Sequence, residues 1–251
     1  MVFDLDGVLL DSESLWDEAR REVVASNGGT WQGGATVAMQ GMSAPEWSRY
    51  LRAALGVDLP EDRIAELVVS GLLARYRAGL PLIAGAAEVV SRIGRRWPLA
   101  LASSANRVVI ERVLDLAGLS RAFAATVSSE EVPRGKPAPD VYLEAACRLG
   151  QPAAACAAIE DSANGIRAGA AAGLAVVAIP NREFPPPPDA LALARAVIGD
   201  LAGLTPEVIE ALDIPEGGSD GEDLREWRLD EAEQESFPAS DPHSDWAGPS
   251  R

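Results

Sequence analysis

Near its N-terminus the chain reads VFDLDG over residues 2–7, a short apolar run that ends in two aspartates and a glycine. Side chains two residues apart on a strand point to the same side, so Asp4 and Asp6 can face one ligand together. Carboxylates this close repel each other unless a cation lies between them, and hard oxygen ligands favour Mg²⁺. Gly7 gives the backbone room to turn and approach a ligand. Taken alone, the pattern is better explained by two solvated aspartates at a turn.

Beyond residue 82, short apolar runs alternate with longer amphipathic stretches. The apolar runs, together with the similar Val2–Leu5, predict buried strands at Leu99–Ser103, Ala124–Val127, Cys156–Ile159 and Ala175–Ile179. The amphipathic stretches predict helices at Val108–Ala117, Asp140–Leu149 and Asn164–Ala172. Repeated strand–helix alternation is typical of an α/β fold, so we predict an open, doubly wound parallel sheet with helices on both faces.

Residues 13–79 show helical periodicity and contain no convincing strand. The periodic stretches predict helices at Glu13–Ser26, Pro45–Leu55 and Glu61–Arg77. We therefore predict a small α-helical cap domain over residues 13–79, inserted into a core domain made of residues 1–12 and 80–214. Within the core, four consecutive prolines at 185–188 predict a stiff surface connection, and Thr205–Leu212 predicts a closing helix.

Most of the charge lies at the C-terminal end. The chain has 22 Lys+Arg against 38 Asp+Glu, a net charge of −16, and residues 207–251 alone hold 14 acidic and 3 basic side chains. Residues 215–251 are rich in Gly, Ser, Pro and acids, which predicts a disordered acidic tail, and its aromatic side chains raise the hypothesis that it docks onto a partner. The negative balance argues against binding nucleic acid or an anionic membrane, because both need a basic face.

Rare residue types narrow the chemistry. The one histidine, His243, lies in the tail, which argues against a histidine phosphatase, a Ser–His–Asp triad and a His-ligated metal. Cys147 and Cys156 lack CxxC spacing and are interpreted as free thiols in a reducing cytoplasm. A cytoplasmic location also agrees with the acids that interrupt the first apolar stretch, and with the lack of a run of about 18 apolar residues.

Two polar motifs follow the second and third predicted strands. LASS, at residues 101–104, ends a strand with Ser103 and Ser104 before a helix, where hydroxyl and N–H groups suit an anionic oxygen, although serine is also an ordinary helix cap. RGKPAPD contains Lys136, the only lysine of the chain. Pro137 follows it, which excludes a nucleotide P-loop. A surface lysine in a turn is the competing interpretation.

The fourth motif, IEDSANG at residues 159–165, again places acids at the end of a predicted strand. Helix capping would explain one of Glu160 and Asp161 but not both. All four motifs thus fall at the carboxyl ends of predicted strands. In this order DLDGVLLDSE, LASSANR, GKPAPDVY and IEDSANGIRAG resemble the four motifs of the haloacid dehalogenase superfamily. The resemblance is to subfamily IA, the phosphatase and β-phosphoglucomutase branch with a small helical cap.

The resemblance implies a role for each motif. Asp4 is the nucleophile that forms an aspartyl-phosphate, and Asp6 protonates the leaving oxygen and then activates water. The side chains expected to bind the phosphoryl oxygens are Ser103, Ser104 and Lys136. The groups expected to hold Mg²⁺ are Asp4, the backbone carbonyl of Asp6, and Asp161, with Glu160 as a direct or water-mediated ligand.

The expected activity is Mg²⁺-dependent hydrolysis of a sugar phosphate or another small phosphorylated metabolite, by a monomer or weak homodimer. A dehalogenase is disfavoured because those relatives lack the second aspartate and the metal. A β-phosphoglucomutase-like mutase is one alternative, but Ala44 stands where such relatives carry a cap arginine, and Arg49 and Arg52 of the next helical turn are the candidates to replace it. A non-catalytic phosphate-binding protein is the other alternative. Residues expected to line the cap side of the site are Trp16, Trp31, Met42, Ser43 and Trp47.

Overall fold

The structure, a computed structural model, describes residues 1–39, 42–182 and 184–215. Within these ranges the chain forms a six-stranded sheet whose neighbouring strands are all parallel. The strands are β1 (Val2–Phe3), β2 (Ala100–Ser103), β3 (Ala125–Ser128), β4 (Ala157–Glu160), β5 (Ala175–Ala178) and β6 (Ala196–Val197). Their spatial order is β3-β2-β1-β4-β5-β6, which confirms the predicted doubly wound sheet.

The five predicted strands form close to their predicted positions, and β6 is an addition. It has 2 residues, lies at the edge of the sheet, and leaves Val197 54% exposed. Because so short an edge strand needs no run of apolar residues, it left no pattern in the sequence.

The segment between β1 and β2 begins with helices. They are α1 (Glu13–Ser26), α2 (Ala35–Met39), α3 (Ala44–Ala53) and α4 (Glu61–Ala78). Both α1 and α3 pack against α4, so these helices share an apolar centre that includes Ile64 and Leu72. The 5-residue helix α2 was not predicted, because one and a half turns are too short for a helical period to stand out. The boundaries of a separate cap domain stay a prediction.

The remaining helices alternate with the strands. They are α5 (Ala86–Gly94), α6 (Arg107–Leu116), α7 (Asp140–Arg148), α8 (Ala163–Ala171), α9 (Pro188–Leu191) and α10 (Pro206–Glu210). Successive residues of β1 point to opposite faces of the sheet. Phe3 joins an apolar cluster with Ile93 of α5, whereas Val2 joins a second cluster with Ile166 of α8. Both faces of the sheet are therefore covered, as a parallel sheet requires.

The end of the described chain corrects one prediction. The prolines at 185–188 are not simply a surface connection, because Pro186 is buried and Pro188 begins α9. The predicted closing helix is present as α10, capped by Thr205. Among the described residues, no helix combines the length and the hydropathy needed to span a bilayer. The predicted acidic tail, from residue 216 onward, lies outside the described residues.

Candidate active site

The parallel register brings two acidic motifs side by side. Phe3 of β1 lies between Leu101 of β2 and Ile159 of β4. Asp4, directly after Phe3, therefore lies beside Glu160, directly after Ile159, and the Asp4 N–H donates to the Ile159 carbonyl at 3.0 Å. The carboxyl ends of adjacent strands are where open α/β sheets bind ligands.

Lys136 connects these two acids. Its Nζ donates to Asp4 Oδ1 at 2.7 Å, to Glu160 Oε1 at 2.6 Å and to the Ala102 carbonyl at 3.1 Å, and the residue is 4% exposed. Burial alone lowers the pKa of an ammonium, but the charges of Asp4 and Glu160 outweigh it and raise the pKa of Lys136. The only lysine of the chain is thus a buried, fully charged group within the site, not a surface residue in a turn.

Glu160 holds this lysine in place. Its Oε1 also accepts from Tyr142 Oη at 2.7 Å, and its Oε2 accepts from the Asp161 N–H, the Ser162 N–H and the Ser162 hydroxyl. Both carboxylate oxygens are therefore engaged by protein donors. A Cβ on Gly165 would lie 1.7 Å from Glu160 Oε1, so only glycine lets α8 approach this carboxylate.

An acidic cluster of Asp4, Glu160 and Asp161 can hold a metal ion. Each offers a carboxylate oxygen within 4.8 Å of the others, and all three residues are buried. Asp161 Oδ1 is buried and has no hydrogen-bond partner among the described residues, which leaves it available to a cation. Gly7 is part of the cluster's geometry, because its φ is +80° and a Cβ there would lie 1.9 Å from Asp161 Oδ2.

The pKa values of two acids in the cluster are raised. Burial raises the pKa of Asp4 to about 7, with Lys136 opposing the shift and Glu160 and Asp6 adding to it. Burial, Glu160 and Asp4 raise the pKa of Asp161 well above its ordinary value. Carboxylates that resist ionisation together become stable anions once a hard cation such as Mg²⁺ lies between them, so the residues present fit such an ion.

Asp6 occupies a different position from Asp4. Its Oδ1 accepts from the Ser12 hydroxyl at 2.5 Å and from Trp16 Nε1 at 3.0 Å, and the residue lines the cavity. Its carboxylate is not part of the acidic cluster, so any contact with the metal would be made by its backbone carbonyl. Asp4 therefore lies beside Lys136, whereas Asp6 lies beside helix α1.

The two predicted serines also separate. Ser103 is fully buried and its Oγ accepts from the Ala105 N–H at 3.0 Å, whereas Ser104 lines the cavity. Their roles in phosphate binding stay predictions. Ser104 lies on the surface of the cavity, and the Ser103 hydroxyl stabilises the turn after β2.

A cavity of about 400 Å³ lies above Asp4. Asp4, Asp6, Lys136 and Asp161 form its polar floor, and residues 184–187 add a wall from the loop that follows β5. Side chains from the first three helices and the turn before α3 form the opposite wall, which is mostly apolar: Trp16, Val37, Met39, Met42 and Trp47. The cavity volume is sufficient for a small molecule.

Three of the five cap residues predicted from the sequence line this cavity. Trp16, Met42 and Trp47 do so, and Ser43 and Trp31 do not. Ser43 precedes α3, where its N–H and hydroxyl both donate to Glu46 Oε2, at 2.7 and 2.6 Å. This is a helix N-cap contact, and the Ser-x-x-Glu spacing is the signal that indicates it.

The arginines considered for a mutase lie away from the cavity. Arg49 is exposed and its Nε lies 3.8 Å from Glu61 Oε2, and Arg52 is exposed as well. Ala44 is buried at the start of α3. Another arginine, Arg20 of α1, does line the cavity and was not singled out from the sequence.

Comparison with known proteins shows that the chain is similar to haloacid dehalogenase-like hydrolases in both sequence and structure. The family model for haloacid dehalogenase-like hydrolases matches residues 1–173. Hexitol phosphatase B of Escherichia coli K12 is 32% identical over 215 residues, covering 81% of this chain and 93% of that protein. The crystal structure of CbbY from Rhodobacter sphaeroides in complex with phosphate has a TM-score of 0.72 at 26% identity, covering 81% of this chain and 94% of that one. A β-phosphoglucomutase from Clostridium difficile has a TM-score of 0.73 over 91% of this chain and 97% of that one, and its 20% identity shows a shared fold alone.

Proposed function

Since the chain belongs to the haloacid dehalogenase-like hydrolases, we propose that it is a Mg²⁺-dependent phosphatase acting through an aspartyl-phosphate on Asp4. The observation that carries this proposal is the buried ammonium of Lys136, 2.7 Å from Asp4 and 2.6 Å from Glu160, at the floor of an open cavity. A non-catalytic phosphate-binding protein would have no need for a second acid, Asp6, on the far side of the nucleophile.

In the first step an Asp4 carboxylate oxygen attacks phosphorus, and the bond from phosphorus to the ester oxygen breaks. Lys136 keeps Asp4 oriented and neutralises charge on the phosphoryl oxygens. Asp6, in its protonated form, donates its proton to the departing alkoxide, which leaves as a neutral alcohol. The hydrogen bonds from Ser12 and Trp16 hold one Asp6 oxygen, so the other is left to carry the proton.

In the second step Asp6, now a carboxylate, takes a proton from water that attacks the phosphorus of the aspartyl-phosphate. The bond between phosphorus and Asp4 breaks, inorganic phosphate leaves, and both aspartates return to their starting states. Asp6 is thus acid and base in turn, and it lines the cavity, where it can reach both the leaving oxygen and water.

The metal would be held by Asp4, the Asp6 backbone carbonyl and Asp161. When bound, Mg²⁺ supplies positive charge that reduces the repulsion between an anionic nucleophile and an anionic phosphoryl group. Glu160 is better described as a positioning residue, because protein donors occupy both of its oxygens.

The substrate class is a small phosphomonoester, such as a sugar or polyol phosphate. The cavity volume of about 400 Å³ and the phosphatase named among the relatives support it. Intramolecular transfer by a mutase is less well supported, since the cap arginine of those relatives is replaced by Ala44 and neither Arg49 nor Arg52 lines the cavity.

The test is release of inorganic phosphate from p-nitrophenyl phosphate by the full chain. We expect Mg²⁺ to stimulate it, EDTA to abolish it, and Asp4→Asn to lower kcat by at least about 1,000-fold. Asp58→Asn is the matched control, because Asp58 is exposed and remote from the cavity lining. Near wild-type turnover by Asp4→Asn, or turnover in excess EDTA, would exclude the mechanism.

A further inference from the structure

A buried cation in the cavity wall has no role in the chemistry described above. Arg20 of α1 is 5% exposed and lines the cavity together with Asp6, Trp16 and Trp47. Its guanidinium carbon lies 5.0 Å from the ring centre of Trp16 and 5.5 Å from that of Trp47. These rings attract the cation through their faces, but they accept none of its N–H groups in the plane of the guanidinium.

Within the described chain Arg20 is short of partners. It donates no hydrogen bond to the described residues, and no carboxylate oxygen among them lies within 4.0 Å of its nitrogens. Its Nε is a buried donor without an acceptor. The negative charges that act most strongly on the pKa of Arg20 are those of Glu13, Asp17 and Asp6. Burying a guanidinium in this way is costly unless an anion eventually meets it.

Two of the neighbouring acids are already committed to other donors. Asp17 accepts from Arg21 Nε at 2.7 Å through one oxygen and from Thr36 Oγ1 at 2.8 Å through the other. Asp6 accepts from Ser12 and Trp16. Glu13 lines the cavity as well and is the acid that acts most strongly on Arg20, so it would compete with a ligand for the guanidinium.

Arg20 also lies on the Asp6 side of the cavity. Trp16 connects the two positions, because its Nε1 donates to Asp6 at 3.0 Å and its ring face lies against Arg20. Asp6 is the group that protonates the leaving oxygen. In the proposed mechanism the alcohol portion of the substrate lies beside Asp6, and Trp16 links Asp6 to the guanidinium, whose planar fork matches a carboxylate or a phosphate.

We propose that Arg20 is a specificity-determining residue that binds a second anionic group, carboxylate or phosphate, on the alcohol portion of the phosphomonoester substrate. This inference rests on the proposed phosphatase function and narrows its substrate class. An anion site is also what a phosphosugar mutase would need, so product analysis accompanies the test: free phosphate marks hydrolysis, and an isomeric phosphoester marks transfer.

The experiment compares substrates that differ only in the terminal group, using the full chain with Mg²⁺. The carboxylate pairs are 3-phosphoglycerate with glycerol 3-phosphate, and 6-phosphogluconate with sorbitol 6-phosphate. The phosphate pair is fructose 1,6-bisphosphate with fructose 1-phosphate. In at least one pair we expect the member with the second anionic group, called the anionic member below, to have the higher kcat/KM. The expected ratio is about tenfold to a hundredfold, the range for a charged, bidentate hydrogen bond.

Variants of Arg20 then locate this preference. We expect Arg20→Met to bring the ratio between the members of that pair to about one, chiefly through KM, and Arg20→Lys to retain part of it. Arg49→Met is the matched control, since Arg49 of α3 is exposed and lies outside the cavity lining, and it should keep the full ratio. A wild-type ratio of one in all pairs, or an equal loss on both members in Arg20→Met, would overturn the inference.

Binding separates this inference from the proposed function. Calorimetric titration of the Asp4→Asn variant with the same pairs measures affinity without turnover. If no substrate is hydrolysed but the anionic members bind more tightly, and Arg20→Met abolishes that difference, the phosphatase proposal fails and the anion site stands. If p-nitrophenyl phosphate is hydrolysed but no pair shows a difference in affinity, the anion site fails and the phosphatase stands.

Discussion

The floor and the cap wall of the cavity are built in opposite ways. On the floor, Lys136 contacts two carboxylates and a carbonyl, and Glu160 accepts from Lys136, Tyr142, Asp161 and Ser162. On the cap wall, Arg20 lies against two tryptophan rings and its Nε has no acceptor among the described residues. Lys136 and Glu160 are satisfied by groups of the protein itself, whereas the Arg20 Nε is not.

In the proposed function, the floor and the cap wall of the cavity bind different parts of the substrate. In the proposed mechanism the floor meets the phosphoryl group, which every substrate of this reaction class shares, so its charges are preorganised before binding and lose little in reorganisation. In the same proposal the cap wall meets the alcohol, which differs from one substrate to another. A guanidinium without a protein partner would then select one alcohol, because only a ligand with a matching anionic group satisfies it.

The largest effect should follow from breaking the floor at its cation. In Lys136→Met, the buried carboxylates of Asp4 and Glu160 lose the charge that compensates both. We expect kcat on p-nitrophenyl phosphate to fall by about 1,000-fold, as for loss of a principal charge-stabilising donor. We also expect a free energy of unfolding lower by about 3–5 kcal/mol, since an unpaired buried charge remains.

The control for this variant is Arg63→Met, which removes an exposed cation paired with exposed Glu66 on α4. It should leave both kcat and the midpoint of thermal unfolding within experimental error, because exposed pairs contribute little. Turnover in Lys136→Met within about tenfold of wild type would mean that the floor does not depend on its ammonium.

The two ends also differ in how well the sequence predicts them. The sequence predicts Asp4, Asp6, Lys136 and Asp161 as site residues because their motifs follow predicted strands in the order of a known family, and the parallel register brings the motifs together. The doubly wound sheet follows from the same alternation of strands and helices. Each motif alone is ambiguous, and the arrangement of all four motifs along the chain carries the prediction.

The cap wall depends on how helices cross, and a single sequence does not show this. Arg20 and Arg21 are adjacent on α1 and look alike in the sequence, but Arg20 is buried against the tryptophans and Arg21 is half exposed. Trp31 and Ser43 were expected in the site, and the packing of α1 and α3 places them outside its lining. Gly165 is a further residue that the sequence did not reveal, because its importance lies in a contact with Glu160.

A single methyl group added beside the floor should lower kcat more than a methyl group added between α1 and α2. The two variants are Gly165→Ala and Gly33→Ala. In Gly165→Ala the new Cβ would overlap Glu160 Oε1, so the carboxylate must move and Lys136 with it. We expect kcat to fall by about 100-fold, the effect of displacing catalytic groups by roughly 1 Å. In Gly33→Ala no atom lies within 4 Å of the new Cβ, and kcat should stay within about twofold of wild type. Equal kcat values for the two variants would show that the position of Glu160 is not critical.

The smallest expected effect is a pH dependence confined to the floor. The pKa of Asp4 is raised to about 7 by burial in the metal-free protein, above its ordinary 3.8, so the folded state keeps a proton that the unfolded state loses. The metal-free protein should therefore lose stability as pH rises through this interval and regain it when Mg²⁺ binds. Because Mg²⁺ must displace that proton, the Mg²⁺ concentration for half-maximal activity should rise by about tenfold from pH 8 to pH 6.

Arg20 stays protonated throughout, so the ratio of kcat/KM between a substrate with a second anionic group and its partner without one should not respond to charge on the protein over the same range. Measuring both quantities with 6-phosphogluconate and sorbitol 6-phosphate, whose phosphate groups titrate alike, separates the two ends. A Mg²⁺ requirement that is independent of pH would show that the buried carboxylates are already ionised without the metal.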